Sequence, residues 1–290
     1  PTGSTGSQVA KSLIWVLGQN AVGRIVVLSM LVILARLIGP AELGLVGIAL
    51  LVMSGLQSFT NIGLNEALIY QKEENVDSYL DTVWLLEIGR GLLIAAIMYF
   101  GAPLVAMLFN EPRAQELVQV LAIAPILQSF RNPGIVYFDK HLDFHKDFAY
   151  KFGANAIRFV VSVGYALLDP TAWAYVAGFL AFSGTRFGLS YVIHDFRPWF
   201  RFDREAAWEL IDYGKWLTGV SVLTFLTTEA DDAFVGWLLG PAALGLYQYA
   251  YRFSNAPATE FTQMISRVMF PAFSKMQDDI DRLRSAFLTT

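Results

Sequence analysis

The chain has 290 residues, of which 55% are hydrophobic and 16% charged, with a mean hydropathy of +0.46 and a formal net charge of −4. A soluble domain carries about 25% charged residues, so this composition excludes a disordered chain, a coiled coil and an ordinary cytosolic enzyme. It implies an all-α polytopic membrane protein, and the absence of cysteine excludes a disulfide scaffold, a Cys-ligated metal and a Cys nucleophile.

Residues 1–10 are polar and Gly/Ser-rich and read as a flexible tail. A spanning helix needs about 20 mainly apolar residues. Eight candidates follow, at roughly 12–34, 43–64, 80–108, 115–137, 148–168, 172–193, 209–238 and 243–272. The first is too long for a signal-peptide core and reads as a retained helix. The fourth is the weakest, since Pro125 interrupts it, and the last two are long and carry charges. Gly39-Pro40, Glu111-Pro112 and Asp169-Pro170 mark short connections.

Lys and Arg set the orientation. With the N-terminus cytoplasmic, fourteen fall inside: Lys11, Lys72, Arg131, Lys140, Lys146, Lys151, Arg197, Arg201, Arg204, Lys215, Arg267, Lys275, Arg282 and Arg284. Only Arg36 and Arg113 fall outside, a strong positive-inside bias. His141, His145 and His194 lie near the cytoplasmic loops and read as solvated loop residues, not metal ligands. Trp199, Trp208 and Trp216 lie near the same interface, as an aromatic belt would place them.

At an offset of 201 residues the chain repeats itself. Leu37-Ile38-Gly39-Pro40-Ala41-Glu42-Leu43-Gly44-Leu45 matches Leu238-Leu239-Gly240-Pro241-Ala242-Ala243-Leu244-Gly245-Leu246 at seven of nine positions. Trp15 falls on Trp216, Gly18 on Gly219 and Ala49 on Ala250. The first span thus corresponds to the seventh. An even number of intervening spans keeps the two copies parallel, related by an axis along the membrane normal. The expected organisation is a six-helix N-terminal lobe over 11–194, a cytoplasmic linker over 195–208, and the first two helices of a second lobe with a cytoplasmic link over 209–290. A complete second copy would need about four more spans. The expectation is of a piece of a longer protein with at least twelve.

Several segments in order carry a family resemblance. They are Ala35-Arg36-Leu37-Ile38-Gly39-Pro40 with Glu42-Leu43-Gly44; Gly63-Leu64-Asn65-Glu66-Ala67-Leu68-Ile69; Asp231-Asp232 before Val235-Gly236; Leu238 through Tyr247 with Ala250-Tyr251-Arg252; and Ser266 through Ser274. Through these the chain resembles the polysaccharide transporters, the Wzx-type oligosaccharide flippases, of the multidrug/oligosaccharidyl-lipid/polysaccharide exporter superfamily. The resemblance implies two six-helix lobes in a V and movement of polyprenyl-diphosphate-linked sugar units across the bacterial inner membrane. O-antigen, capsule or exopolysaccharide assembly would be the setting. The implied partners are the lipid-linked oligosaccharide, membrane lipids and the polysaccharide polymerase machinery.

Charges inside spans are costly, about 2.5–3.5 kcal/mol at mid-bilayer, and usually face a cavity or a partner. The first lobe places Arg24, Arg90, Arg158 and Arg186 in spans, against one acid, Glu87. Guanidinium groups bind a diphosphate bidentately and stay charged at any physiological pH. These four arginines are therefore the candidate substrate-binding residues. Two of them carry plainer alternatives: Glu87 and Arg90, three apart, can neutralise each other, and Arg186 can snorkel to headgroups. In the seventh span Glu229, Asp231 and Asp232 cluster, a candidate site for coupling to H⁺ or Na⁺. The alternative there is an ion pair from one of these acids to Arg252, pinning the last two spans.

A cation-coupled drug exporter of the same superfamily is the second reading, but its first-lobe cavity should be acidic and this one is basic. A membrane-embedded polysaccharide-assembly enzyme is the third. It would need a long extramembrane loop with clustered carboxylates, whereas the loops here are short. No Walker motif is present, so ATP is not expected as the direct energy source. No cofactor, catalytic residue, metal or nucleic-acid partner is expected.

Overall fold

The computed structural model describes residues 22–70, 76–140 and 143–255, and among these the chain is helical with short connections and no strand. Twelve helical segments carry the description. They are α1 (22–37), α2 (Pro40–Phe59), α3 (Leu64–Tyr70), α4 (Asp77–Leu108), α5 (Arg113–Leu121), α6 (Ile123–Ser129), α7 (Val136–Lys140), α8 (Phe144–Leu168), α9 (Ala172–Ile193), α10 (Arg204–Thr228), α11 (Ala230–Leu239) and α12 (241–255). Three helices, Pro40–Phe59, Tyr79–Leu108 and Ala172–Ile193, are long and apolar enough to cross a membrane. Along α4, Leu92, Leu93, Ile97, Phe100, Leu104 and Met107 are exposed. A continuous apolar face of that size is unfavourable in water and suits lipid. The chain is an all-α membrane protein.

Helix ends follow local chemistry. Pro40 opens α2, where a missing N–H costs nothing because first-turn donors have no intrahelical acceptor. The same helix ends where the Thr60 hydroxyl donates to Leu56 O at 2.6 Å, and Asn61 Oδ1 then accepts from Gly63 N at 3.1 Å. Gly63 has φ +57°, a conformation glycine adopts without penalty. Asp143 caps α8 through Lys146 N, and Asp203 caps α10 through Glu205 N and Ala206 N. The start of α9 is capped from another helix: Ala172 N donates to Glu42 Oε2 at 3.0 Å.

Three expected spans need correcting. The run 115–137 is not one helix but α5, α6, a 3-10 turn at Pro133–Ile135 and α7. Pro125 has no N–H for the Leu121 carbonyl, and Asn132 before Pro133 is held extended at ψ 118°. The run 209–238 starts earlier, at Arg204, and breaks at Glu229. Helix α2 begins three residues before the expected 43, at its proline. The tail 1–10, residues 12–21 of the first span, residues 256–272 of the last, the 275–285 link and His141 lie outside the described residues.

Contacts divide the chain into two units, 1–246 and 247–290. In the first, α8 and α9 make the most extensive helix pair, while α4 packs on α5 and α6 and α2 packs on α5 and α10. One core cluster joins Leu64 and Leu68 of α3, Leu80 and Val83 of α4, Val136 of α7 and Leu210 of α10. The segment between α9 and α10 docks on the same region. Trp199 N donates to Asp81 Oδ1 at 2.8 Å, Asp203 N to Thr82 Oγ1 at 3.0 Å, and Asn132 Nδ2 to Phe196 O at 2.6 Å. Trp199, Trp208 and Trp216 are all exposed. In the second unit residues 247–255 are helical, with Tyr247 stacked on Tyr251 one turn on.

The two repeat copies meet inside the first unit. A Cβ on Gly44 would lie 1.6 Å from Pro241 O, and a Cβ on Gly245 would lie 2.2 Å from Pro40 O. At the 201-residue offset, Gly44 corresponds to Gly245 and Pro40 to Pro241. The contact is reciprocal: each copy's glycine takes the other copy's proline carbonyl. Self-complementary pairing of this kind is what a two-fold relation produces.

Candidate functional site

The first polar site is a half-open cavity of about 190 Å³ between α2, α4 and α6, lined by Gln57, Glu87, Arg90, Gln128, Ser129 and Arg131, among others. Gly91 lets α4 and α6 touch, since a Cβ there would lie 2.4 Å from the Ser129 Cβ. Arg90 is bound by the protein on three sides. Its Nε donates to Thr60 Oγ1 at 3.2 Å, its Nη1 to Glu87 Oε2 at 3.1 Å, and its Nη2 to the Gln57 carbonyl at 3.0 Å. The Glu87–Arg90 ion pair is therefore formed, one helical turn apart. From Gln57 a chain of amides crosses the bundle. Gln57 Nε2 donates to Gln128 Oε1 at 3.1 Å, and Gln128 Nε2 donates to Ser183 Oγ at 3.3 Å on α9.

The second site lies between α8 and α9. Arg158 donates through Nη2 to Tyr175 OH, and its guanidinium lies over the rings of Tyr175, Phe179 and Phe182 at 4.9, 5.3 and 5.6 Å. Its Nε is buried with no hydrogen-bond partner among the described residues. Arg186 lies over Tyr150 and Phe182 at 5.0 and 5.5 Å and donates from Nε to Tyr150 OH at 3.2 Å. Phe182 thus serves both arginines. Cation–π contacts of this kind, strongest where water is excluded, hold a guanidinium without neutralising it. Neither arginine has a carboxylate within ion-pair distance among the described residues. The helices come close because Gly178 faces Ser162, where a Cβ would sit 1.8 Å from Oγ.

Of the four arginines expected to bind substrate, the fold groups Arg158 with Arg186. Arg90 belongs to the separate α2–α4–α6 cavity, and Arg24 is exposed on α1. Among the acids, Glu229 sits in the break between α10 and α11 with φ −132° and ψ −4°, and accepts from Ser54 Oγ of α2 at 2.9 Å. Asp231 and Asp232 occupy the first turn of α11, where a helix N-terminus favours negative charge. Arg252 is exposed on the helical stretch of the second unit.

Gln57, Gln128, Arg131, Tyr150 and Tyr175 join these sites and were not among the expected residues. Counting charges within spans passes over amides and phenols. Gln57 and Gln128 were nevertheless the visible signal, as uncharged polar residues inside apolar runs.

Residues 33–290 match the model of a family described as polysaccharide biosynthesis protein. The chain is 27% identical over 258 residues to the lipopolysaccharide biosynthesis protein WzxC of Escherichia coli, covering 88% of this chain and 52% of that protein. To the succinoglycan biosynthesis transport protein ExoT of Rhizobium meliloti it is 25% identical over 256 residues, covering 88% and 52%. To the teichuronic acid biosynthesis protein TuaB of Bacillus subtilis it is 25% identical over 239 residues, covering 80% and 48%. The chain spans about half the length of these relatives. No solved structure matches it.

Proposed function

The chain belongs to the polysaccharide biosynthesis protein family, and from that membership we propose that it is part of a flippase moving polyprenyl-diphosphate-linked oligosaccharide across the bacterial inner membrane by alternating access. In this reading 11–194 form a six-helix lobe with a cytoplasmic N-terminus, 195–208 a linker and 209–290 the start of a second lobe. Transport, not bond chemistry, is the activity, which accords with the naming of ExoT as a transport protein.

One observation carries the substrate side. Arg158 and Arg186 are two guanidinium groups within the helical bundle, propped by a shared Phe182 and without a carboxylate partner among the described residues. Leaving a desolvated cation uncompensated is costly, and an anionic headgroup supplies the compensation while the polyprenyl tail stays in lipid. Arg24 adds a third cation on α1. Arg90 contributes only when its bonds to Glu87, Thr60 and Gln57 open. Glu229, half-buried and bonded to Ser54, is the group best placed to couple H⁺ or Na⁺, with Asp231 and Asp232 beside it. A polysaccharide polymerase would take the delivered unit.

The test is complementation. Full-length protein carrying Arg24→Ala and Arg158→Ala is expressed in a strain lacking its own flippase, and surface polysaccharide is measured. The expected result is a severe loss at normal expression, partly restored at position 158 by lysine. Undiminished polysaccharide would end the cationic-path reading.

A further inference from the structure

The connection between α9 and α10 is short, aromatic and basic, reading Phe196-Arg197-Pro198-Trp199-Phe200-Arg201-Phe202. It leaves the apolar span Ala172–Ile193 at its last residues and returns to the first turn of another, Tyr79–Leu108. In that turn Asp81 Oδ1 accepts from Trp199 N, and Thr82 Oγ1 accepts from Asp203 N. The connection is therefore a strap held at the level where two apolar spans end. One ring reaches further. Phe200 lies edge-on to Trp84 with ring centroids 5.3 Å apart, and Trp84 stands five residues, about 7 Å, inside the second span.

The strap is tied along its length. Asn132 Nδ2 donates to Phe196 O, Arg197 Nη1 donates to His194 O at 2.7 Å, and Arg201 N closes a tight turn on Trp199 O at 2.7 Å. Phe196 packs on the core shared by α3, α4, α7 and α10. The rings after it are held outside that core: Trp199 and Phe200 are each 74% exposed and Phe202 57%. Trp208, in the second turn of α10, is exposed too, about opposite the buried Ala206 and Leu210 around the helix. Arg197, Arg201 and Arg204 are exposed between and beside these rings, and Arg201 and Arg204 have no ion-pair partner among the described residues. The nearest acid, Asp203, is spent on capping α10. Fixed rings at the end of an apolar span, interleaved with arginines, have the composition of a membrane interface. There the rings sit at headgroup level and guanidinium groups meet phosphates. In water the same arrangement would leave a rigid apolar patch uncovered.

We propose that the strap from Arg197 to Arg204 lies in the membrane interface, with Trp199, Phe200 and Phe202 among the upper acyl groups and the arginines at the phosphates. Its partner is the phospholipid leaflet itself. The stretch expected from sequence to be a cytoplasmic linker is then a membrane anchor. It fixes the depth of the start of α10 against α4, through the bonds to Asp81 and Thr82. The inference needs only that the chain is a membrane protein, and depends on neither the cargo nor the direction of transport.

The experiment measures depth in phospholipid nanodiscs on full-length protein. This chain has no cysteine, so once any cysteine outside it is replaced, a single nitroxide label reports alone. Labels on Phe200→Cys and Phe202→Cys should be relaxed more by oxygen than by a water-soluble nickel chelate, as expected about 5–10 Å below the headgroups. Labels on Leu104→Cys, exposed on α4, and on Glu205→Cys, exposed on α10, give the lipid and water references. A second measurement keeps the rings in place. The emission lost on Trp199→Phe is that of Trp199, and it should shrink several-fold when the lipid is brominated on its upper acyl carbons. Labels relaxed chiefly by nickel, with Trp199 emission unchanged by bromine, would put the strap in water and overturn the anchor. Labels shielded from both reagents would mean a protein cover, from elsewhere in a longer chain or from a partner, and would overturn it equally. Either result leaves the complementation test of Arg24 and Arg158 standing, and a failed complementation test with both depth measurements as expected leaves the anchor standing.

Discussion

The two copies of the repeat share a reciprocal backbone contact at their matching Gly-Pro segments and differ in the polar groups on either side of it. Around Gly44 and Gly245 each copy lends its glycine to the other's proline carbonyl. Twelve or more residues upstream they part. In the first copy Val26-Val27-Leu28 lie within the unbroken helix α1, whereas the matching Thr227-Thr228-Glu229 end α10 and break the span. Both threonine hydroxyls turn back on the helix: Thr227 donates to Leu223 O and Thr224 O, and Thr228 to Thr224 O. Such back-bonding competes with the helical ladder, and Glu229 then reaches Ser54. Downstream, Glu42 binds Arg113 and caps α9, while its counterpart Ala243 can do neither. Steric close approach has been kept in both copies, and polarity has been assigned to each separately.

The glycine contact should be the hardest part of that comparison to break. Gly44→Ala and Gly245→Ala push a methyl into backbone that cannot rotate away, so each should cost about 1–3 kcal/mol or more, read as a lowered midpoint in denaturant. Gly39→Ala should be nearly neutral, because φ there is −67° and the space is open. Gly240→Ala, also in open space but at φ +83°, should fall between, at about 1 kcal/mol. If all four cost the same, the reciprocal contact is not what holds the copies.

Next in size is the acid present in one copy only. Glu42→Ala leaves the first N–H of α9 without its acceptor and leaves Arg113 with Glu111 alone, at a cost of about 1–2 kcal/mol. Glu42→Gln should keep most of the cap and lose the ion pair, so thermal melts of the two variants separate the contributions. Ala243→Glu, which supplies the same residue to the other copy, should gain nothing.

The helix break offers a smaller effect with a local readout. Thr227→Val with Thr228→Val and Glu229→Leu writes the first copy's residues into the second. Hydrogen exchange at residues 229–233 should slow several-fold as the ladder closes across the break, by about 0.5–1 kcal/mol. Unchanged exchange would mean that packing against α2, not the side chains, sets the break.

The smallest expected effect concerns His194, on the segment leading into the second copy. Its ring stacks on Tyr137 at 5.7 Å, and Nδ1 accepts from Phe196 N at 3.1 Å, which requires the neutral tautomer. Burial, the largest influence, holds its pKa below the usual 6.5. The unfolded chain therefore takes up the proton first as pH falls. The contribution to stability is complete above about pH 6.5, declines below it and levels off once the folded ring also titrates. A His194→Asn variant should show a flatter stability profile on that limb.

Much of the architecture was legible in the sequence because membrane helices answer to a one-dimensional rule. An apolar run of sufficient length between polar punctuation must form its hydrogen bonds internally. Spans such as 80–108 and 172–193 follow from that rule nearly residue for residue. The repeat was visible for a related reason: close backbone approach admits only glycine, and glycine leaves its mark in the letters.

What only the tertiary structure decided is which polar groups meet. Sequence could set Arg90 beside Glu87, since they share a helix. It could not bring Gln57 to Gln128, Gln128 to Ser183, or Glu229 to Ser54. Those pairings depend on helix rotation and on offsets of many residues, set by the close contacts at Gly91, Gly178 and Gly44. The chain's own pattern marks the longest apolar runs, such as those of α4 and α9, but not where a run breaks into shorter helices. Packing decides which charges are neutralised and which rest on aromatic rings without a carboxylate, because side chains many residues apart meet only when their helices rotate into contact.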